Sequence, residues 1–132
     1  MGSNYLRLSL VIFFITSFIS CVIKDESNLY GTYVADYDIA KEKLILNKNG
    51  TFIQEVMLKV TSKVDTTKGA WVYDPNTRYV KFTNNYMQVL NGFKQLNPEY
   101  SKNLTSASFP VNSFWGNIMI EFAEGVFYEK AQ

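Results

Sequence analysis

The chain has 132 residues, room for one domain, with 16% aromatics and a formal net charge of +1. Histidine is absent and Cys21 is the single cysteine. That composition excludes an internal disulfide, the usual Cys/His structural zinc sites and any Ser–His or Cys–His nucleophile pair. Beyond residue 20 the charges balance at 12 basic against 12 acidic, so no basic excess points to a nucleic-acid partner, and no cofactor or metal is expected.

In chain order, residues 1–21 come first, MGSNYLRLSLVIFFITSFISC, with Arg7 as the only charge. The apolar run from Leu8 to Ile19 is 12 residues long, short of the roughly 20 that a spanning helix needs. A basic start, an apolar stretch of this length and a small residue at its end describe a secretory signal peptide. Phe18-Ile19-Ser20-Cys21 resembles a bacterial lipobox, with Phe18 in place of the preferred leucine. The alternative is a signal anchor with an incidental cysteine. The resemblance implies removal of residues 1–20 and acylation of Cys21, palmitate among its chains, with residues 21–29 as the lipidated N-terminus and tether. Two or three acyl chains hold a protein firmly at a membrane where one holds it marginally. Val22 follows the cysteine where aspartate would favour the inner membrane, so the implied address is the outer membrane, facing the periplasm.

From residue 30 to 132 the pattern is one of short strands with turn punctuation. Strands are predicted at 30–36, 42–47, 51–60, 70–73, 79–83, 106–115, 117–122 and 125–130. Leu44 and Leu46 share one face of the second. Phe52, Gln54, Val56, Leu58 and Val60 share one face of the third. Asn47-Lys48-Asn49-Gly50 and Asp74-Pro75-Asn76-Thr77 are turn sequences, and Ala123-Glu124-Gly125 is the last tight connection. Residues 63–67 and 97–106 are expected to be loops. About eight strands at this spacing pair as antiparallel neighbours, and closing the sheet removes its edges. The expected fold is therefore all-β, a small up-and-down barrel or half-barrel. One segment departs from it. Tyr86, Val89, Leu90, Phe93 and Leu96 carry helical spacing, which predicts one short helix over 86–96 covering an end of the barrel.

Gly31-Thr32-Tyr33, LILNKNGTF at 44–52, Gly69-Ala70-Trp71, Tyr79-Val80-Lys81-Phe82 and Phe127-Tyr128-Glu129-Lys130, taken in that order, resemble the small lipocalin-like domains of bacterial secreted proteins and lipoproteins. The resemblance covers 30–130. Tyr33 stands where lipocalins carry tryptophan, and a barrel this small is readily filled by its own side chains.

Two functional expectations follow. The first is a lipid-anchored binding domain for a small apolar ligand or an envelope component, with Tyr33 and Trp71 among its contacts. It rests on the resemblance and on 17 aromatics between residues 21 and 132. The second is a periplasmic protein-interaction module, an inhibitor or immunity protein, acting through 84–108 with Tyr86, Phe93 and Tyr100 as anchors. Catalysis has weaker support. Asp36 and Asp38 lie two apart, a spacing that puts both carboxylates on one strand face, and Glu121 and Glu124 are near neighbours. Nothing in the sequence completes either pair as a site, and no catalytic residue is assigned.

Overall fold

A computed structural model describes residues 25–132. The predicted leader and Cys21 lie outside the described residues. A 3-10 turn over Glu26–Leu29 opens the domain, capped by the Asp25 carboxylate, which accepts from Ser27 N at 3.0 Å. Ten strands follow: β1 (Gly31–Tyr37), β2 (Ala40–Leu46), β3 (Thr51–Leu58), β4 (Val64–Asp74), β5 (Tyr79–Met87), β6 (Leu90–Asn91), β7 (Gln95–Leu96), β8 (Leu104–Phe114), β9 (Asn117–Ala123) and β10 (Val126–Lys130). Eight of them close a barrel in the order β1-β10-β9-β8-β5-β4-β3-β2, every pair antiparallel, and β6 and β7 form a separate hairpin. The expected all-β barrel is present and fully closed, a form compatible with the lipocalin-like fold. Closure comes through Tyr33 opposite Lys130 and Val34 opposite Glu129.

The alternation of side chains decides which face is the interior. Ala40, Glu42, Leu44 and Leu46 of β2, and Phe52, Gln54 and Val56 of β3, are buried, while their neighbours in sequence are not. Aromatic rings fill the middle. Phe52 meets Phe82 edge-on at 5.0 Å between centroids, and Phe82 stacks on Tyr86 at 5.2 Å. Each such ring contributes on the order of 2 kcal/mol by burial.

Up-and-down connectivity gives the barrel two distinct ends. The N-terminal end carries the 3-10 turn, the turns after β2, β4 and β8, and the C-terminus. Here Asn47 and Gly50 close the predicted hairpin turn, with Gly50 at φ +78°. The side chain of Asp74 accepts from Asn76 N and Thr77 N at the other predicted turn. The opposite end, hereafter the rim, carries the turns after β1, β3 and β9 and the excursion between β5 and β8.

Two predicted features are corrected. Residues 64–67 and 104–106 are strand, not loop. They lengthen β4 and β8 because the sheet offers each a partner: Val64 to Thr67 pair with β3, and Leu104 and Thr105 pair with β5. Leu29 is fully buried and Tyr33 Oη donates to its carbonyl at 2.8 Å, so the packing of the barrel includes the residues just ahead of β1. There is no helix over 86–96. Tyr86 and Met87 complete β5, and Gly92 and Lys94 adopt φ of +67° and +61°, outside the right-handed helical region.

Gly69 has a specific role. A Cβ built there would stand 2.6 Å from Phe52 Cε1 and 3.3 Å from Asn85 Cβ. Phe52 is fully buried against Phe82 and cannot swing aside. Gly69→Ala is therefore expected to cost about 1–3 kcal/mol through overpacking, read as a lower urea midpoint at unchanged slope.

Candidate functional site

Two features stand apart from the apolar packing: a polar cluster inside the barrel and a cleft at the rim just beyond it. The cluster is built by alternation. Glu42 on β2 and Gln54 on β3 point inward, at 3% and 0% exposure. Glu42 accepts from the hydroxyls of Tyr37 and Tyr128, and from Gln54 Nε2 at 3.1 Å. Gln54 Nε2 also lies 3.0 Å from Met87 O, and Gln54 Oε1 accepts from Met87 N at 2.8 Å. Tyr86 and Tyr128 share a hydrogen bond between hydroxyls at 3.0 Å. Every buried side-chain nitrogen and oxygen among the described residues has a partner.

Burial pushes the Glu42 carboxyl above its ordinary 4.5, against the opposing pull of Tyr128, Tyr37 and Gln54. Burial first, and then the nearby Glu42 charge, hold the Tyr86 and Tyr128 hydroxyls well above 10. They stay protonated and remain donors. The cluster is thus internally complete. It ties β2, β3, β5 and β10 together, and it pins the Met87 backbone at the point where β5 gives way to the excursion.

The excursion has a rigid base and a bare tip. Val89 and Tyr100 are buried with Ala40, Val56 and Met87, capping the rim. Tyr100 Oη donates to Asp65 Oδ2 at 2.6 Å, and Asn97 N donates to Val89 O at 2.7 Å. At the tip of the β6–β7 hairpin Phe93 is 87% exposed. Between this hairpin and the β9–β10 turn lies an open cleft of about 600 Å³, lined by Gln88, Leu90, Gly92, Phe93, Lys94, Phe122, Ala123 and Glu124. Its floor meets the polar cluster: the Phe122 ring lies 4.3 Å from that of Tyr128 and 5.7 Å from that of Tyr37. The walls combine apolar surface with Lys94 and Glu124, one charge of each sign.

The predicted contact residues are not gathered into one site. Tyr33 and Trp71 are buried at the N-terminal end, where Trp71 Nε1 donates to Asn47 O at 3.1 Å and Tyr30 packs on its ring. Tyr86 is interior and Tyr100 braces the excursion. Only Phe93 is free to meet another molecule. Asp36 and Asp38 are both exposed. Asp36 is held by Lys59 at 2.6 Å and Lys41 at 3.1 Å, which keep its carboxyl below 3.8. Glu121 accepts from Gly125 N across the last turn. Cys21 lies outside the described residues.

Sequence reasoning missed the Glu42 cluster, although its signal was present: Gln54 sits in an apolar inward series, and Glu42 continues the face of Leu44 and Leu46. It also missed Phe122 and Glu124 as cleft walls, because their partner surface is 30 residues away in sequence. Comparison of the chain with protein-family models, with curated proteins and with solved structures returns no match.

Proposed function

We propose that this chain is a lipid-anchored protein of the bacterial envelope whose barrel is a non-catalytic binding module, and that it engages another envelope protein through the rim cleft and the β6–β7 hairpin. The observation that carries this reading is Phe93, 87% exposed on a hairpin braced at its base, overhanging a cleft of about 600 Å³. A large exposed aromatic on a rigid support is the kind of residue that dominates interface energies, and loops on a fixed scaffold carry most recognition. The anchor is supported by the leader-like run that ends at Cys21.

The same cleft supports a second reading, a small amphipathic ligand. Its size falls in the range of small-molecule sites, and Leu90 and Phe122 supply apolar wall. Binding inside the barrel has less support, because Tyr33, Phe52, Phe82, Tyr86 and Tyr128 occupy that space.

Affinity capture from envelope extract with the full chain tests the main reading. One stoichiometric partner is expected, lost when residues 91–95 are replaced by a Gly/Ser turn. Uptake of a fluorescent apolar probe without any partner would favour the second reading, and neither result would leave both without support. The anchor is tested separately. Cys21→Ser should leave the leader uncleaved and abolish acyl labelling, and a variant that is still processed and membrane-bound would refute lipidation.

A further inference from the structure

We infer that the N-terminal end of the barrel rests directly on the lipid surface, with Phe114 and Trp115 inserted at headgroup level. The inference builds on the anchoring proposed above.

The first observation is a turn that breaks a local rule. Phe114 pairs with Asn117, so Trp115-Gly116 is a two-residue hairpin loop, with φ of +50° and +80°. Two positive φ values in such a loop define the mirror-image turn that favours Asn-Gly or Asp-Gly, since a bulky residue is strained there. Here the first position is tryptophan. Folding recovers nothing evident from that choice, because Trp115 is 89% exposed and Phe114, its edge-on neighbour at 6.1 Å, is 64% exposed. Local rules broken without an internal gain mark functional positions.

The second observation is where this pair stands. Phe114 lines a groove with Met119, Glu129 and Lys130, and Lys130 Nζ donates to Asn28 O at 2.6 Å. The aromatic pair is therefore one groove away from the point where the chain enters the barrel, and Cys21 is seven residues before Asn28. A short tether from an acylated Cys21 keeps this end, and not the rim, against the bilayer. Tryptophan favours that water–lipid boundary, where an apolar ring and a polar N–H are both satisfied. The arrangement also leaves Phe93 and the cleft pointing away from the membrane, at the opposite end of the barrel.

The test uses the full chain, processed in a bacterial host and reconstituted into phosphatidylethanolamine/phosphatidylglycerol vesicles with ordinary or brominated acyl chains. The chain has two tryptophans, so Trp115→Asn leaves Trp71 as an internal control and the difference spectrum reports Trp115. Brominated lipid is expected to quench Trp115 emission at least about twofold and to leave Trp71 unchanged. Trp115→Asn should unfold at the same temperature as the parent or higher, as asparagine suits the turn. Flotation with the vesicles but no bromine quenching overturns the docking and leaves the anchor standing. Shielding of Trp115 from acrylamide without bromine quenching means that protein covers it, a second copy or a partner, and also overturns it. Failure to float overturns the anchoring and the docking together. A marked loss of thermal stability in Trp115→Asn would show that the ring serves the fold instead.

Discussion

Glu42→Ala is expected to remove about 3–5 kcal/mol of stability, a large part of what a domain of this size possesses. The substitution leaves the buried Tyr128 hydroxyl and Gln54 amide and the half-buried Tyr37 hydroxyl facing a void where their shared acceptor stood. Each orphaned donor costs about 1–3 kcal/mol, and the lost side-chain volume adds a cavity. Thermal unfolding should shift down by more than about 10 °C. Glu42→Gln keeps the volume and one acceptor oxygen but turns an N–H₂ toward groups that also donate, so its loss should be intermediate.

The same carboxyl carries a pH signature of definite sign. Its folded-state pKa is raised above the ordinary 4.5, with burial as the main cause. Between 4.5 and that raised value the native state holds a proton that the unfolded chain has released. Stability therefore falls as pH rises through this window, and the loss is complete above the folded pKa. Asp25, Asp36, Asp65 and Asp74 are shifted the other way, below 3.8. Their contribution is present above 3.8 and fades only in more acidic solution, so the two effects separate. Urea midpoints measured from pH 4.5 to about 8, below the range where tyrosines titrate, should decline for the parent and lie flat for Glu42→Gln. A flat parent profile would mean that the cluster takes up the charge at no cost.

Phe93→Ser is expected to weaken partner binding by about 30-fold or more, the loss of an anchor worth around 2 kcal/mol, with no change in the unfolding midpoint. The two halves of this expectation separate recognition from support. Phe93 is 87% exposed and its removal takes little from the fold. Tyr100, 3% exposed and bonded to Asp65, behaves differently: Tyr100→Ala should lower stability and binding together, because the hairpin loses its brace. Titration of the captured partner against both variants, alongside their melts, checks the pair. Equal binding by parent and Phe93→Ser would place the interface elsewhere.

How much was legible beforehand depended on the range of the interactions. The β2–β3 hairpin was readable from LILNKNGTF because its strands, turn and pairing lie within a dozen residues. The 86–96 segment misled because its apolar spacing had three unrelated causes. Tyr86 faces the barrel interior, Val89 and Leu90 cap the rim, and Phe93 is exposed. Periodicity counts apolar residues and cannot tell which of them share a surface. The pairing of Tyr86 with Thr105 and of Met87 with Leu104 outweighed any local helical preference. The cleft was invisible for a related reason, since it joins 88–94 to 122–124.

The sequence by itself determined the strand class, the two predicted turns at the N-terminal end and the inward series of β2 and β3. Those features rest on alternation and on turn chemistry, which act between near neighbours. Only the tertiary structure decided the rest: closure through β1 and β10, the meeting of Glu42 with Gln54, Tyr37 and Tyr128, and the separation of a rim bearing Phe93 from an end bearing Trp115. Those depend on contacts as distant in sequence as Tyr33 with Lys130. Such contacts form only when the closed sheet brings distant strands together, and no local pattern specifies them.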